Sequence, residues 1–308
     1  MAVEQVAQAH YQAQQTVVRA TVEEGQALWG SVQAGSVLES WLAVLEAIVQ
    51  VLTLGQRTSA ALAQPYLSAL AREQGISPLA AGVVNPAAFA GVAADGRDLR
   101  SLLMQPILRV LGLLAAGADD TLALNSGLAS LVRILDTETV DAGRTAVGVG
   151  VVANRRYVSY VRMLTPPSCG RCIVLAGRQY AWSKGFARHP GCDCYHLPIT
   201  ADSPERLLVQ SPREAFDAMS REQQDRSFGK AAAEAIRDGA DIGQVVNARR
   251  KGATYVAGGR QYTREGTSRR GHYGAGRDAR PTSEQIYRDA AGDREQAISL
   301  LRRYRYLI

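Results

Sequence analysis

Four cysteines and one histidine fall in two short clusters, Cys169-Gly-Arg-Cys172 and His189-Pro-Gly-Cys192-Asp-Cys194, separated by sixteen residues. A Cys-x2-Cys turn aims two thiolates at one point, and a second cluster after a loop of this length closes a tetrahedral metal site. Thiolate-rich tetrahedra suit Zn2+, so a structural zinc is expected. There are five candidate ligands for four places: Cys169, Cys172, His189, Cys192 and Cys194. Residues i and i+2 of a strand share a face, so Cys192 and Cys194 can both reach one ion. Two ligand sets stay open: the four cysteines with His189 beside them, or Cys169, Cys172, His189 and Cys194. A catalytic zinc keeps an open position next to a general acid or base. Here protein donors saturate the site and Asp193 is the only acid close by. The expected role is to hold together a small fold that is short of apolar residues.

A serine protease needs a His to activate its nucleophile. The histidines are His10, His189, His196 and His272, and no Gly-x-Ser-x-Gly is present. Ser159 with His196 is the least implausible pair, and it has no recognisable Asp partner. Every cysteine lies in the metal cluster, which leaves no thiol as nucleophile. No catalytic residue is assigned, and a non-enzymatic protein is expected. Gly143, Gly148 and Gly150 fit no phosphate-binding spacing and read better as helix packing or a loose turn.

The second chemical feature is charge. Residues 1–150 carry 8 Arg and no Lys against 13 acids, a net of −5, while residues 151–308 carry 27 basic residues against 16 acids, a net of +11. Nearly all of that excess is Arg, which contacts phosphates in bidentate fashion and stacks on bases. It concentrates in residues 245–280, which hold 9 basic residues, 2 acids, 7 glycines and Tyr255, Tyr262 and Tyr273. Such a stretch is expected to be an extended arm, with Arg249, Arg250, Lys251, Arg260, Arg264, Arg269 and Arg270 contacting nucleic acid or a protein partner. No base-reading motif accompanies them, so any DNA contact should be non-specific.

The elements that position these groups read as mainly α. Residues 1–155 look like a helical domain, with breaks at Gly25, Gly55 and Gly75, and with Trp29 and Trp41 in its core. Asp98 to Ala115 is apolar almost all round and is expected at the bundle centre. Two further helices, Asp119–Leu135 and Val140–Arg155, complete the bundle. Residues 156–200 form the small α+β zinc knuckle: Arg156–Leu164 alternates like a strand and Cys194–Ile199 returns, with Trp182 as a lid. Residues 201–244 are helical, starting from a capping box at Ser211-Pro212-Arg213-Glu214 and including one helix from Arg221 to Asp238. The basic arm, residues 245–282, leads to a C-terminal helical pair, residues 283–308. No uninterrupted apolar stretch reaches the roughly 18 residues of a membrane span. The start Met1-Ala-Val-Glu-Gln lacks a signal-peptide pattern, so a reducing cytosol is expected, which favours metal over disulfides.

Thr165-Pro166, Cys169-x2-Cys172, Gly177, His189-Pro190-x-Cys192-x-Cys194 and Pro198 together resemble the phage Mu F-like minor head domain, over roughly residues 140–200. Gln223-Gln224-Asp225-Arg226-x-Phe228-Gly229-Lys230 resembles the fused maturation-protease and Mu F-like head proteins of actinobacterial tailed phages. So do the run Asp241 to Arg250 and Arg264-Glu265-Gly266-Thr267-x-Arg269-Arg270-Gly271. The resemblance implies a low-copy virion protein, made in the host cytoplasm and placed inside the head near the portal. Its implied partners are portal or major capsid protein and packaged DNA, with no membrane.

Overall fold

Apolar residues at helical spacing dominate the first 150 positions, and in the computed structural model they build long helices. The structure describes residues 2–78, 80–164, 168–183, 194–204, 211–250, 252–265 and 279–307. The chain folds as two compact units. The first comprises Met1–Arg162 with Gln179–Leu207, and the second Met163–Arg178 with Leu208–Ile308. Helices hold most of the described residues, so the fold is mainly α.

In the first unit, α1 (Val3–Trp29), α2 (Val37–Ala61), α3 (Ala63–Glu73), α4 (Leu99–Leu103), α5 (Gln105–Ala115) and α6 (Asp120–Ala153) are followed by β1 (Tyr157–Met163), β2 (Gln179–Ala181) and β3 (Tyr195–Thr200). Trp29 meets Trp41 edge to face at 5.5 Å in a core with Ile48, Leu52, Leu103, Ile107, Leu131 and Leu135. Both tryptophans are core residues, as expected.

The centre of this bundle is α6, which packs against α1, α2, α3 and α5. This corrects two expectations. The stretch expected to hold two helices forms one, Asp120–Ala153, started by Asp119 accepting from the Leu122 amide at 2.9 Å. No Gly or Pro interrupts the polar Asp136-Thr-Glu-Thr139 stretch, and Glu138 is accommodated inside by accepting the Ala94 amide at 2.7 Å. The Asp98–Ala115 segment, for its part, is not central. It divides into α4 and α5 at Met104 and leaves Leu108 61% exposed.

Gly25 and Gly55 do not stop helices either, because α1 and α2 run through them. A Cβ on Gly25 would lie 2.2 Å from Leu135 Cδ1, and one on Gly55 2.3 Å from Thr21 Oγ1. These glycines are where helices cross closely. Gly143 acts in the same way, its missing Cβ leaving room for Gln14 and Ser59, 2.3 and 2.4 Å from where it would stand. The segment Ala34–Glu73 is long and apolar enough to cross a membrane, yet its Trp41, Ile48, Leu52 and Leu70 are wholly buried in this unit.

The small sheet has the order β2-β1-β3, with Tyr160 of β1 opposite Tyr180 of β2. The sequence anticipates β1 and β3 but not β2. Carbonyls along β3 are satisfied by helix side chains: Tyr66 Oη donates to His196 O and Gln74 Nε2 to Pro198 O, both at 2.8 Å. That covers an edge otherwise open to pairing.

The second unit is made of short pieces: α7 (Gly170–Val174), α8 (Pro212–Asp217), α9 (Arg221–Phe228), α10 (Lys230–Arg237), α11 (Ile242–Ala248), β4 (Thr254–Ala257), β5 (Arg260–Thr263), β6 (Arg280–Pro281), α12 (Ser283–Ala290) and α13 (Arg294–Arg303). Phe216, Phe228, Ile236, Val245, Ile286, Leu301 and Tyr306 form its core. The capping box at Ser211 and Glu214 is present. The expected Arg221–Asp238 helix breaks at Gly229, whose φ of 83° only glycine adopts readily.

The described part of residues 245–282 is folded rather than extended. α11 reaches Ala248, and β4, β5 and β6 form an antiparallel sheet in that order. Gly258 and Gly259, both at positive φ, make the two-residue turn that right-twisted strands favour. Residues 266–278 of the expected arm lie outside the described residues.

Candidate functional site

Cys169 caps the start of α7 and Cys172 follows within its first turn, so the two side chains share one helical face. Gly170 between them lies against Phe228: a Cβ there would come within 2.7 Å of its ring. Ile173, 1% exposed, anchors the same turn in the core of the second unit. The Cys-x2-Cys turn is thus fixed by packing, with Cys172 buried and Cys169 partly so. In the first unit, Cys194 is buried just before β3, and its carbonyl accepts from Arg144 Nε at 2.7 Å. His189 and Cys192 lie outside the described residues. Trp182, expected as a lid, is 50% exposed.

Of the weighed nucleophile–base pair, Ser159 is buried on β1 and its hydroxyl accepts from Gln179 Nε2 at 2.6 Å. His196 on neighbouring β3 sets its ring against Tyr160, 4.5 Å between centroids.

The arginines expected to meet a polyanion divide into two groups. Arg249 is engaged within the unit, donating to Phe228 O and pairing with Glu284 at 2.8 Å. Arg260 pairs with Asp289. Arg250 reaches Glu265 at 3.4 Å but keeps 58% of its side chain exposed. Arg264 lies over the Tyr255 ring, 5.0 Å from its centroid. Lys251, Arg269 and Arg270 lie outside the described residues. Counted by unit, the second holds 21 basic against 13 acidic residues, net +8, and the first 14 against 16, net −2.

The profile of the VG15 protein family matches residues 1–222. The chain belongs to the VG15 family. It is therefore a phage-related protein. No curated protein and no solved structure matches it. The matched region of this VG15 protein takes in the whole Cys/His cluster and ends within α9, so the β4–β6 sheet lies beyond it.

Two features of the VG15 chain escape a reading of its sequence. Arg280, counted there among the basic residues of the arm, is fully buried. It donates to Tyr304 O, Arg305 O, Glu265 O and Gln244 Oε1 and lies 4.0 Å over the Tyr306 ring. The spaced tyrosines Tyr255 and Tyr262 are cross-strand partners with stacked rings. The Gly258-Gly259 pair, flanked on both sides by β-branched and aromatic residues, was the available signal for that hairpin.

Proposed function

We propose that this VG15 protein is a minor head protein of a tailed bacteriophage, set inside the head near the portal. There it contacts portal or major capsid protein and packaged DNA. The observation that carries this reading is an overlap. The phage-related family match spans residues 1–222 and so contains the Cys/His cluster, whose order and spacing resemble the Mu F-like domain. The basic second unit adds charge complementarity to a polyanion, through a sequence-independent term that weakens with salt.

Zinc in this reading is structural. Its candidate ligands are those of the sequence, with two sets still open: the four cysteines, or Cys169, Cys172, His189 and Cys194. The metal ties short segments together and performs no reaction step.

The test is compositional. Quantitative mass spectrometry of purified virions should find the chain at low copy relative to coat protein. Protease treatment should leave it intact until heads are opened. Its absence from purified virions, or its digestion in intact ones, overturns the reading.

A further inference from the structure

Tyr255 and Tyr262 face each other across the β4–β5 hairpin, their rings 5.6 Å apart and 25° from parallel. The Arg264 guanidinium lies over the Tyr255 ring, which makes a three-member ladder of flat groups. Side chains alternate along a strand, so Tyr262 projects opposite to its neighbour Thr263, which is buried at 1% exposure. Both tyrosines are half-buried, and among the described residues neither phenol oxygen takes a hydrogen bond. Tyr255 stands on the edge strand β4, where Val256 is 70% exposed, and Tyr262 on the central strand β5. Residues 249–264 hold five basic groups, Arg249, Arg250, Lys251, Arg260 and Arg264, and no acid.

A cross-strand tyrosine pair also stabilises a hairpin on its own account. What points beyond that is the combination of half-exposed rings, a stacked guanidinium, and a run of basic side chains of which Arg250 keeps 58% of its side chain exposed. Planar rings and guanidinium groups accept unstacked bases, and flanking arginines follow the phosphates.

We propose that Tyr255, Tyr262 and Arg264 form a stacking platform for the bases of single-stranded nucleic acid, with Arg250 beside it toward the phosphate backbone. This rests on the nucleic-acid contact in the reading above and narrows it to unpaired bases. It does not depend on where in the virion the chain sits.

The test is fluorescence anisotropy of the full chain with a labelled oligo(dT) strand and with a duplex of equal length, at several salt concentrations. The strand should bind more tightly than the duplex. Tyr255→Leu with Tyr262→Leu keeps an apolar cross-strand pair but removes the rings. It should weaken strand binding about tenfold at every salt concentration and leave the salt slope unchanged. Tyr255→Phe with Tyr262→Phe should bind like the wild type. Arg250→Gln should flatten the slope by about 0.7, the value for one phosphate on a single strand. If the double Leu variant melts early, Tyr255→Leu alone, on the edge strand, takes its place with the same expected direction. Strand binding unchanged by either Leu variant overturns the platform. So does equal wild-type affinity for strand and duplex, while leaving a backbone-only DNA contact standing. Binding to neither removes the nucleic-acid reading altogether and points to a protein partner.

Discussion

The two units solve the same packing problem from opposite directions. In the first, helices of up to 34 residues cross closely where a side chain is missing, at Gly25, Gly55 and Gly143. In the second, no described helix exceeds the 10 residues of α13, and the pieces are tied by side chains that bond main chain. Ser211, Ser220, Asp241, Thr282 and Asp293 each cap a helix start, and Arg280 gathers three carbonyls, that of Glu265 and those of the adjacent Tyr304 and Arg305. Long helices bury enough apolar surface for fit to decide their stability. Short ones expose a large share of orphan N–H and C=O groups, and satisfying those groups becomes the main task. The basic excess of the second unit is therefore partly internal: Arg249, Arg260 and Arg280 serve its own fold, which leaves Arg250 and Arg264 among the better candidates for an external anion.

The comparison can be broken most sharply at the metal. Metal analysis of the reduced protein should give about one zinc per chain, and Cys169→Ser with Cys172→Ser should abolish it. Structural zinc contributes on the order of 10 kcal/mol to small domains, so the second unit should lose its cooperative melting by circular dichroism. Trp29 and Trp41 lie in the N-terminal helices α1 and α2, far from the cluster in sequence, so their fluorescence transition should persist. Zinc-free reduced protein with an unchanged melt would remove metal from the account.

Arg280→Met comes next. It strands several buried acceptors at once, and each unsatisfied group costs about 1–3 kcal/mol, so a loss of roughly 4 kcal/mol is expected. Hydrogen exchange should show the loss in α11, α13 and the β4–β6 sheet while α1, α2 and α6 stay protected. Equal loss of protection in both units would mean that the difference between them is not one of independent bonding.

The first unit has its own weak point. His10 is buried and stacked on Tyr66 at 4.1 Å, and burial lowers its pKa from 6.5 to about 4. The unfolded imidazole takes up its proton near pH 6.5 and the folded one only near 4. The stabilising contribution is therefore complete above pH 6.5 and is lost as pH falls toward 4, about 3 kcal/mol in all. Burial of Asp136 and Glu138 raises their pKa values and acts in the opposite sense. The quantity to measure is therefore the difference from His10→Phe, which keeps the ring stack and should flatten the acid slope of the tryptophan transition. Parallel pH profiles for the two proteins would contradict a neutral buried His10.

The smallest effects concern glycine. Gly143→Ala places a methyl 2.3 Å from Gln14 Nε2 and should destabilise the first unit by about 1–3 kcal/mol. Gly148→Ala, one helical turn and a residue further along α6, meets nothing within 4 Å and should stabilise by up to about 1 kcal/mol. Urea titrations followed by tryptophan emission give both signs in one experiment. Equal effects would mean that these glycines are not crossing points.

How much of this is legible in the sequence follows from the same physics. Alternation marks β1, and the Ser-Pro-x-Glu box marks α8, because both signals are local. The metal expectation for the Cys/His cluster rests on spacing alone, since His189 and Cys192 lie outside the described residues. A glycine that allows close approach reads the same as one that ends a helix, and only the facing Thr21 or Leu135 tells them apart. Arg280 reads as one more surface charge in a glycine-rich run, since its carbonyl partners, Glu265 and the adjacent Tyr304 and Arg305, lie far from it along the chain. The hairpin hides for a related reason, its tyrosines being too few and its neighbours too polar to announce a core.

The central proposal is a phage head protein whose basic second unit meets nucleic acid. Ultraviolet crosslinking of intact virions, followed by mapping of nucleotide-bearing peptides, tests it directly. Adducts should fall on peptides of the second unit, foremost those carrying Tyr255 and Tyr262, with none in residues 1–162. Adducts confined to the helical unit, or none in virions that contain the chain, would contradict it.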